Sequence, residues 1–329
     1  MLDSLVLVTE AFVSNEALID RWNPPTEHHH DHYNKVVYNN FKYQVGGANS
    51  PLLTYTKESS KFRVYVPSMP KFCLGTSAVA IDDNFVARSL DQVEQYVLNA
   101  GVQDLPPISA WHVASADIYC DLQVGEEVPN YISSLRPLSI SGYKRVTYGD
   151  ETIGWQRKSG GRDIKFYDRE AKCISSREDP ATAHFSQGIM RFEVKTRAED
   201  YRRNIGSTDI GSIFKGEVIL PMLQAYLDRL DLNNLRITTE GDMRRALTRA
   251  YGQRRGLEIM AFLGAQLNGD EITLSRSTIY RYKRDLQQLG LVPVIGIRRL
   301  SALRIGNIPD TQTRLAEFVA HNDCIRMAG

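Results

Sequence analysis

At 329 residues, with 42% hydrophobic and 24% charged side chains, the chain has material for one large or two ordinary domains and is too well mixed to be disordered or low-complexity. No apolar run approaches the ~20 residues that would cross a bilayer, and Asp3 stands where a signal peptide needs positive charge, so a cytoplasmic protein with no membrane partner is expected. The net charge of +1 says nothing of nucleic acid, but twelve Lys/Arg against four Asp/Glu between Met243 and Ile305 concentrate an excess of eight in one segment, as in a polyanion-binding module.

Residues 1–72 read as strand-rich. Met1–Val8, Val36–Tyr38, Phe41–Tyr43 and Phe62–Val66 are short β-branched and aromatic runs between Asn, Gly, Ser and Pro clusters. His28, His29, His30, Asp31 and His32 lie in a polar, Pro-flanked stretch after Trp22. A metal hydrolase could be built on them, but nothing nearby would orient the imidazoles, and a solvated loop is the simpler reading. Val86, Leu90, Val93 and Val97 recur at helical spacing before Gly101, so Asp83–Ala100 reads as a helix covering a sheet.

Trp111–Leu122 reads as a strand. Alternation puts Asp117, Tyr119 and Asp121 on one face and Ala116, Ile118, Cys120 and Leu122 on the other. A lone carboxylate in mid-strand is costly to bury, so Asp117 either meets a metal or cation or faces water from an edge strand. His112 could add a third metal ligand, although a core or surface histidine is the plainer reading. A helix over Val128–Leu135 precedes strands at Tyr143–Gly149 and Arg162–Tyr167, with Gln156–Gly161 as a basic, Gly-rich hairpin loop. In the last strand, Gly188–Lys195, alternation brings Arg191, Glu193 and Lys195 together. These elements predict an α+β architecture, an antiparallel sheet with helices on one face, over residues 1–200.

From Ala198 the pattern turns helical, through Ile213–Leu230, Asp242–Tyr251 and Gly256–Leu267. A turn at Asn268-Gly269-Asp270 leads to a basic helix, Ile279–Leu286, with Ser277 or Thr278 as N-cap. The pair resembles a helix-turn-helix within a helical region, 201–329. Arg276, Arg281, Lys283 and Arg284 are then candidates for phosphate or base contacts, with Tyr280 beside them; Tyr280 and Leu286 also read as core. Cys73, Cys120, Cys173 and Cys324 have no C-x-x-C spacing, which fits reduced thiols better than disulfides or a zinc site.

The run Ile164-Lys165-Phe166-Tyr167-Asp168-Arg169 carries the chemistry. Tyr167 offers a nucleophilic hydroxyl, and Lys165 and Arg169 offer charge to hold a phosphate. A free tyrosine has a pKa of about 10, so reaching phenolate at neutral pH costs roughly 4 kcal/mol. A divalent cation on the phosphate would offset part of that cost, and carboxylates on neighbouring strands would be needed to hold it.

Several of these segments resemble, in order, motifs of the filamentous-phage gene II/gene X family of replication initiators. Met1–Leu7 is similar to its opening, and Pro70-Lys71-Phe72-Cys73-Leu74-Gly75 to its Lys-Phe-x-x-Gly segment. Thr147-Tyr148-Gly149 and Lys165-Phe166-Tyr167-Asp168-Arg169 resemble its Thr-x-Tyr-x-Gly and Lys-Phe-Tyr-x-Lys strands. Leu274–Tyr282 resembles its recognition-helix signature. The resemblance implies rolling-circle replication: a site-specific endonuclease that nicks one strand of duplex origin DNA, stays joined to the 5′ phosphate through Tyr167, and leaves a 3′ hydroxyl for a host polymerase and helicase. Single-stranded DNA is then a second partner, and Asp117 and Glu193 become the ligands for Mg²⁺ or Mn²⁺. Ser115 stands where the family has arginine, Arg169 where it has lysine, and Tyr148 is one residue out of the usual spacing, yet remains a rival nucleophile. A non-enzymatic helix-turn-helix regulator is the alternative, and the oligomeric state is left open.

Overall fold

The computed structural model describes residues 1–14, 17–18, 21–22, 28–30, 36–38, 41–136, 138, 140–158, 162–230, 240–268, 270–289, 303, 305 and 310–328. Its strands are β1 (Leu2–Glu10), β2 (Phe12–Val13), β3 (His28–His30), β4 (Val36–Tyr38), β5 (Phe41–Tyr43), β6 (Leu52–Thr56), β7 (Lys61–Val66), β8 (Val102–Gln103), β9 (His112–Gln123), β10 (Tyr143–Tyr148), β11 (Thr152–Arg157), β12 (Asp163–Asp168) and β13 (Ile189–Arg197). Nine of them form one sheet in the order β10–β11–β12–β13–β9–β1–β7–β6–β5, and every pairing in it is antiparallel. The α+β class expected from the sequence is the observed one.

One face of this sheet is core. Leu5, Leu7, Phe62, Val64, Ile118, Val194, Ile164 and Trp155 are all buried there. Phe166 stacks on Phe192 with ring centroids 4.6 Å apart, and Trp155 meets Phe166 edge-on at 6.3 Å. Each such side chain contributes ~1.5–3 kcal/mol by leaving water. A one-residue slip would turn the whole set outward, so the apolar face fixes the register.

The helices are α1 (Met69–Leu74), α2 (Asp83–Asn99), α3 (Val128–Leu135), α4 (Arg169–Ser175), α5 (Pro180–Phe185), α6 (Ala198–Ile205), α7 (Ile210–Ile213), α8 (Gly216–Arg229), α9 (Glu240–Tyr251), α10 (Gln253–Asn268), α11 (Arg276–Gln288) and α12 (Thr311–Ala328). Asp82 caps α2 by accepting from the Phe85 amide at 2.8 Å, and Val86, Leu90, Val93 and Val97 enter the main core as their spacing predicts. α8 enters it too, through Ile219, Leu223 and Leu227. The sheet's core also takes in residues beyond 200, through Leu230 and Leu303, because the apolar stripe of α8 completes it. A separate cluster joins α9, α10 and α11 around Leu247, Ile259, Phe262, Tyr282 and Leu286.

Two elements depart from the sequence reading. Gln156 and Arg157 end strand β11 rather than opening a loop, while Ser159–Gly161 lie outside the described residues. Gly154 obscured this strand, and the space there is tight: a Cβ at that position would stand 3.3 Å from the Ile164 carbonyl oxygen. The second departure is α12, which no sequence signal suggested. Thr311 at its start bonds Asp82 in both directions at 2.8 Å, and Phe318 packs with Ala78, Val79 and Ala181.

Candidate active site

The other face of the sheet is polar, and its register sorts the side chains into cross-strand rows. One row runs Tyr148, Thr152, Tyr167, Arg191, Asp121, and the next runs Val146, Gly154, Lys165, Glu193, Tyr119. A third pairs Lys195 with Asp117. The first two rows meet in a cleft of about 500 Å³. There the Tyr167 hydroxyl donates to Glu193 Oε2 at 3.0 Å, and Lys165 Nζ donates to Glu193 Oε1 at 3.0 Å. Tyr167 and Glu193 are buried, and Lys165 is partly so.

Behind them lies a charged support. Arg191 grips Asp121 with two hydrogen bonds, 2.6 and 2.9 Å, and stacks on the Tyr119 ring at 3.8 Å. Arg169, the first residue of α4, donates to the Ser77 carbonyl at 2.9 Å, and Arg191 reaches the same oxygen at 3.4 Å. Glu178, held by Lys71 at 3.1 Å and by the Ser77 hydroxyl at 2.5 Å, closes this end.

A bulge supplies a carboxylate that sequence reasoning missed. The β1–β9 register slips between Leu2 and Leu5, so Asp3 and Ser4 face the single position Asp117. Ser4 donates to Asp117 Oδ2 at 2.6 Å, while Asp3 lines the cleft and accepts from Ser68 at 2.8 Å. The signal was present: Leu2, Leu5 and Leu7 break period two with a polar pair between the first and second.

Glu193 thus crowds the other two acids, and the proton affinities of Asp3 and Asp117 show it. Burial and then Glu193 raise the Asp117 carboxyl from 3.8 to about 6, and the same two causes raise Asp3. Burial, followed by Glu193, pushes the Tyr167 phenol well above 10, with Arg191 and Arg169 pulling the other way. Burial works against the Lys165 ammonium, but the Glu193 carboxylate outweighs it and Lys165 holds its proton more tightly than a free lysine.

The structure brings Tyr167, Lys165 and Glu193 into contact and sets Arg169 at the same cleft, with Asp117 one row away. Tyr148 also lines the cleft, two strands from Tyr167 and exposed. His112 is elsewhere. It pairs with Asp209 at 2.9 Å on the surface, five residues along β9 from Asp117 and therefore roughly 17 Å away. His28–His30 form one strand of a two-stranded ribbon, while Asp31 and His32 lie outside the described residues. On α11, Arg276, Tyr280, Arg281 and Arg284 are exposed and Lys283 is half-buried. Tyr280 is therefore surface and Leu286 core. The N-cap is Ser275, whose hydroxyl accepts from the Thr278 amide at 3.2 Å, so the helix begins ahead of the expected Ser277 or Thr278. Residues 269–275 separate α10 from α11, a longer link than a tight turn.

Among the described residues no three side chains of ligand type stand close enough to form a ready-made metal cage. Asp117 Oδ1 is nonetheless buried without a partner among those residues, and the repulsion that Glu193 exerts on Asp3 and on Asp117 is of the kind a divalent cation relieves. The donors are all oxygen, which suits a hard ion that keeps part of its water. No helix among the described residues is long and apolar enough to cross a membrane.

No protein-family model matches the chain, and no curated protein matches it in sequence. Among solved structures it is similar to that of a rolling circle replication initiator protein from Geobacillus stearothermophilus, at 12% identity and a TM-score of 0.33, covering 68% of this chain and 83% of that one. A likeness that slight carries no argument about function.

Proposed function

We propose that the protein is a DNA-nicking and -joining enzyme that initiates rolling-circle replication, with Tyr167 as nucleophile. The observation that carries this reading is the 3.0 Å hydrogen bond from the Tyr167 hydroxyl to Glu193, in a cleft lined by Lys165, Arg169 and Arg191. The ordered motifs shared with the gene II/gene X initiators support it.

Each part of the cleft then has a task. Glu193 Oε2 takes the phenolic proton as Tyr167 Oη bonds to phosphorus, which removes the need for free phenolate. The bond from phosphorus to the 3′ oxygen breaks, and that oxygen takes a proton from water to become a free 3′ hydroxyl. Lys165 and Arg169 hold the phosphate, and the Arg169 Nε–H is buried without a partner among the described residues. Rejoining runs in reverse: the 3′ hydroxyl gives its proton back to solvent as its oxygen bonds to phosphorus, the bond from phosphorus to Tyr167 Oη breaks, and Tyr167 takes up the proton stored on Glu193. Asp117 and Glu193, with Asp3, would hold Mg²⁺ or Mn²⁺, which when bound neutralises the non-bridging phosphate oxygens.

The exposed cations of α11 fit duplex origin DNA, and the nicked strand would be extended by host polymerase and helicase in the cytoplasm. The deciding experiment is incubation of supercoiled origin plasmid with the protein and Mg²⁺. Open circles carrying a peptide with modified Tyr167 support the reading, whereas binding without any open circle leaves a helix-turn-helix regulator.

A further inference from the structure

The polar face of the sheet is only partly covered. Residues 76–80, with α1, α4 and α5, close the end that holds Asp121, Tyr119 and Arg191, and the cleft lies where this cover stops. Beyond the cleft the rows continue in the open. Past the Asp117–Lys195 pair, Leu52, Tyr65, Val6, Ser115 and Arg197 form one row, and Thr54, Arg63, Val8 and His112 form the next, which a bridge from His112 extends to Asp209. These two rows hold two guanidinium groups and a phenol, and their one carboxylate, Asp209, stands at the far end, paired with His112 at 2.9 Å. Arg63, Tyr65 and Arg197 are exposed. Burial and then the nearby Asp117 and Asp3 carboxylates raise the Tyr65 phenol, which sets that ring beside the acids of the cleft.

We infer that this open face is a track for single-stranded nucleic acid, entering over Arg63 and Arg197 and delivering the strand to Tyr167. Rows lie two residues apart, about 7 Å, so the three steps from the Arg197 row to the Tyr167 row span ~20 Å. Cations following a backbone and an aromatic face on which a base stacks are what sequence-tolerant single-strand binding requires. The bases of an intact duplex are already stacked on one another, so none is free to lie against Tyr65. The assignment of the strand's destination rests on the nicking reading, but the track itself does not.

The test uses the full chain carrying Tyr167→Phe, so that no cleavage intrudes, and fluorescence anisotropy of a labelled oligodeoxythymidylate. Arg63→Glu and Arg197→Glu are each expected to weaken binding at least fivefold, and each to flatten the salt dependence by about 0.7 in log–log slope. Tyr65→Ala is expected to weaken it and Tyr65→Phe to preserve it. Arg88→Glu, on α2 across the core, is the control for net charge. Equal losses from Arg63→Glu and Arg88→Glu, or no loss from either track arginine with circular dichroism unchanged, would overturn the track. If the track variants lose binding while the Tyr167 enzyme forms no adduct with DNA, the track stands and the nicking reading falls.

Discussion

The Tyr167 hydroxyl rests on Glu193 Oε2 while Lys165 holds the other oxygen of the same carboxylate, each at 3.0 Å. A phenol that gives up its proton only well above pH 10 thus has an acceptor in place before any substrate arrives. The geometry is set by register, since Lys165 pairs directly with Glu193 and Tyr167 sits one row on.

Tyr167→Phe should abolish the covalent protein–DNA adduct, keep origin binding, and change stability by only about 1 kcal/mol through loss of one hydrogen bond. Tyr148→Phe should leave the adduct intact. Mass spectrometry of the peptide left on nicked DNA reads both variants, and an adduct that survives Tyr167→Phe but not Tyr148→Phe transfers the nucleophile to β10.

Glu193→Gln removes the proton acceptor and the partner of Lys165 together. Single-turnover nicking should slow by ~10²–10⁴-fold, the usual range for a missing general base. Binding of uncut DNA should change little, because the cleft's cations remain.

Asp117 gives a stability prediction with a definite sign. Its carboxyl binds a proton more tightly folded than unfolded, so the group makes the fold less stable as pH rises from 3.8 to about 6. Above that window the penalty is roughly 3 kcal/mol. Asp117→Asn should therefore flatten the pH dependence in calorimetry and, after losing part of the Ser4 bond, stabilise the protein by ~2 kcal/mol at about pH 7.5. Mg²⁺ should raise the Tm of the native chain and not of Asp117→Asn, and the same variant should lose metal-dependent nicking. Native nicking undiminished in EDTA would remove the metal from the mechanism.

Replacing Arg276, Arg281 and Arg284 together by Ala should weaken duplex origin binding and lower the log K against log salt slope by about 3, at ~0.9 for each phosphate no longer neutralised. Filter binding across a salt series checks this. The fold should survive, because these side chains are exposed and Tyr282 and Leu286 carry the packing of α11.

Much of this was legible from residue order alone. Alternation placed Asp117, Tyr119 and Asp121 on one face of β9 and Arg191 with Glu193 on one face of β13, because a half-buried strand has to alternate. The period of α2 was plain for a similar reason. What stayed hidden depended on register or on distant parts of the chain. Asp3 reached the cleft through a bulge, β11 was masked by Gly154, and the Ser77 carbonyl that anchors two arginines is a backbone atom without any side-chain signature. His112 stands apart from Asp117 because an extended strand separates them, although the two are close in sequence. The change from strands to helices near residue 200 is not a change of core, since α8 packs with the sheet.

The clasp between Asp82 and Thr311 ties one wall of the cleft to a helix near the far end of the chain. Two residues 229 positions apart exchange hydrogen bonds, and the segment they fasten presents the Ser77 oxygen to Arg169 and Arg191. A ribosome-bound chain that has already made its tyrosine still lacks the helix that braces this segment. A half-made copy would thus hold Tyr167 without the brace that fixes the two arginines beside it.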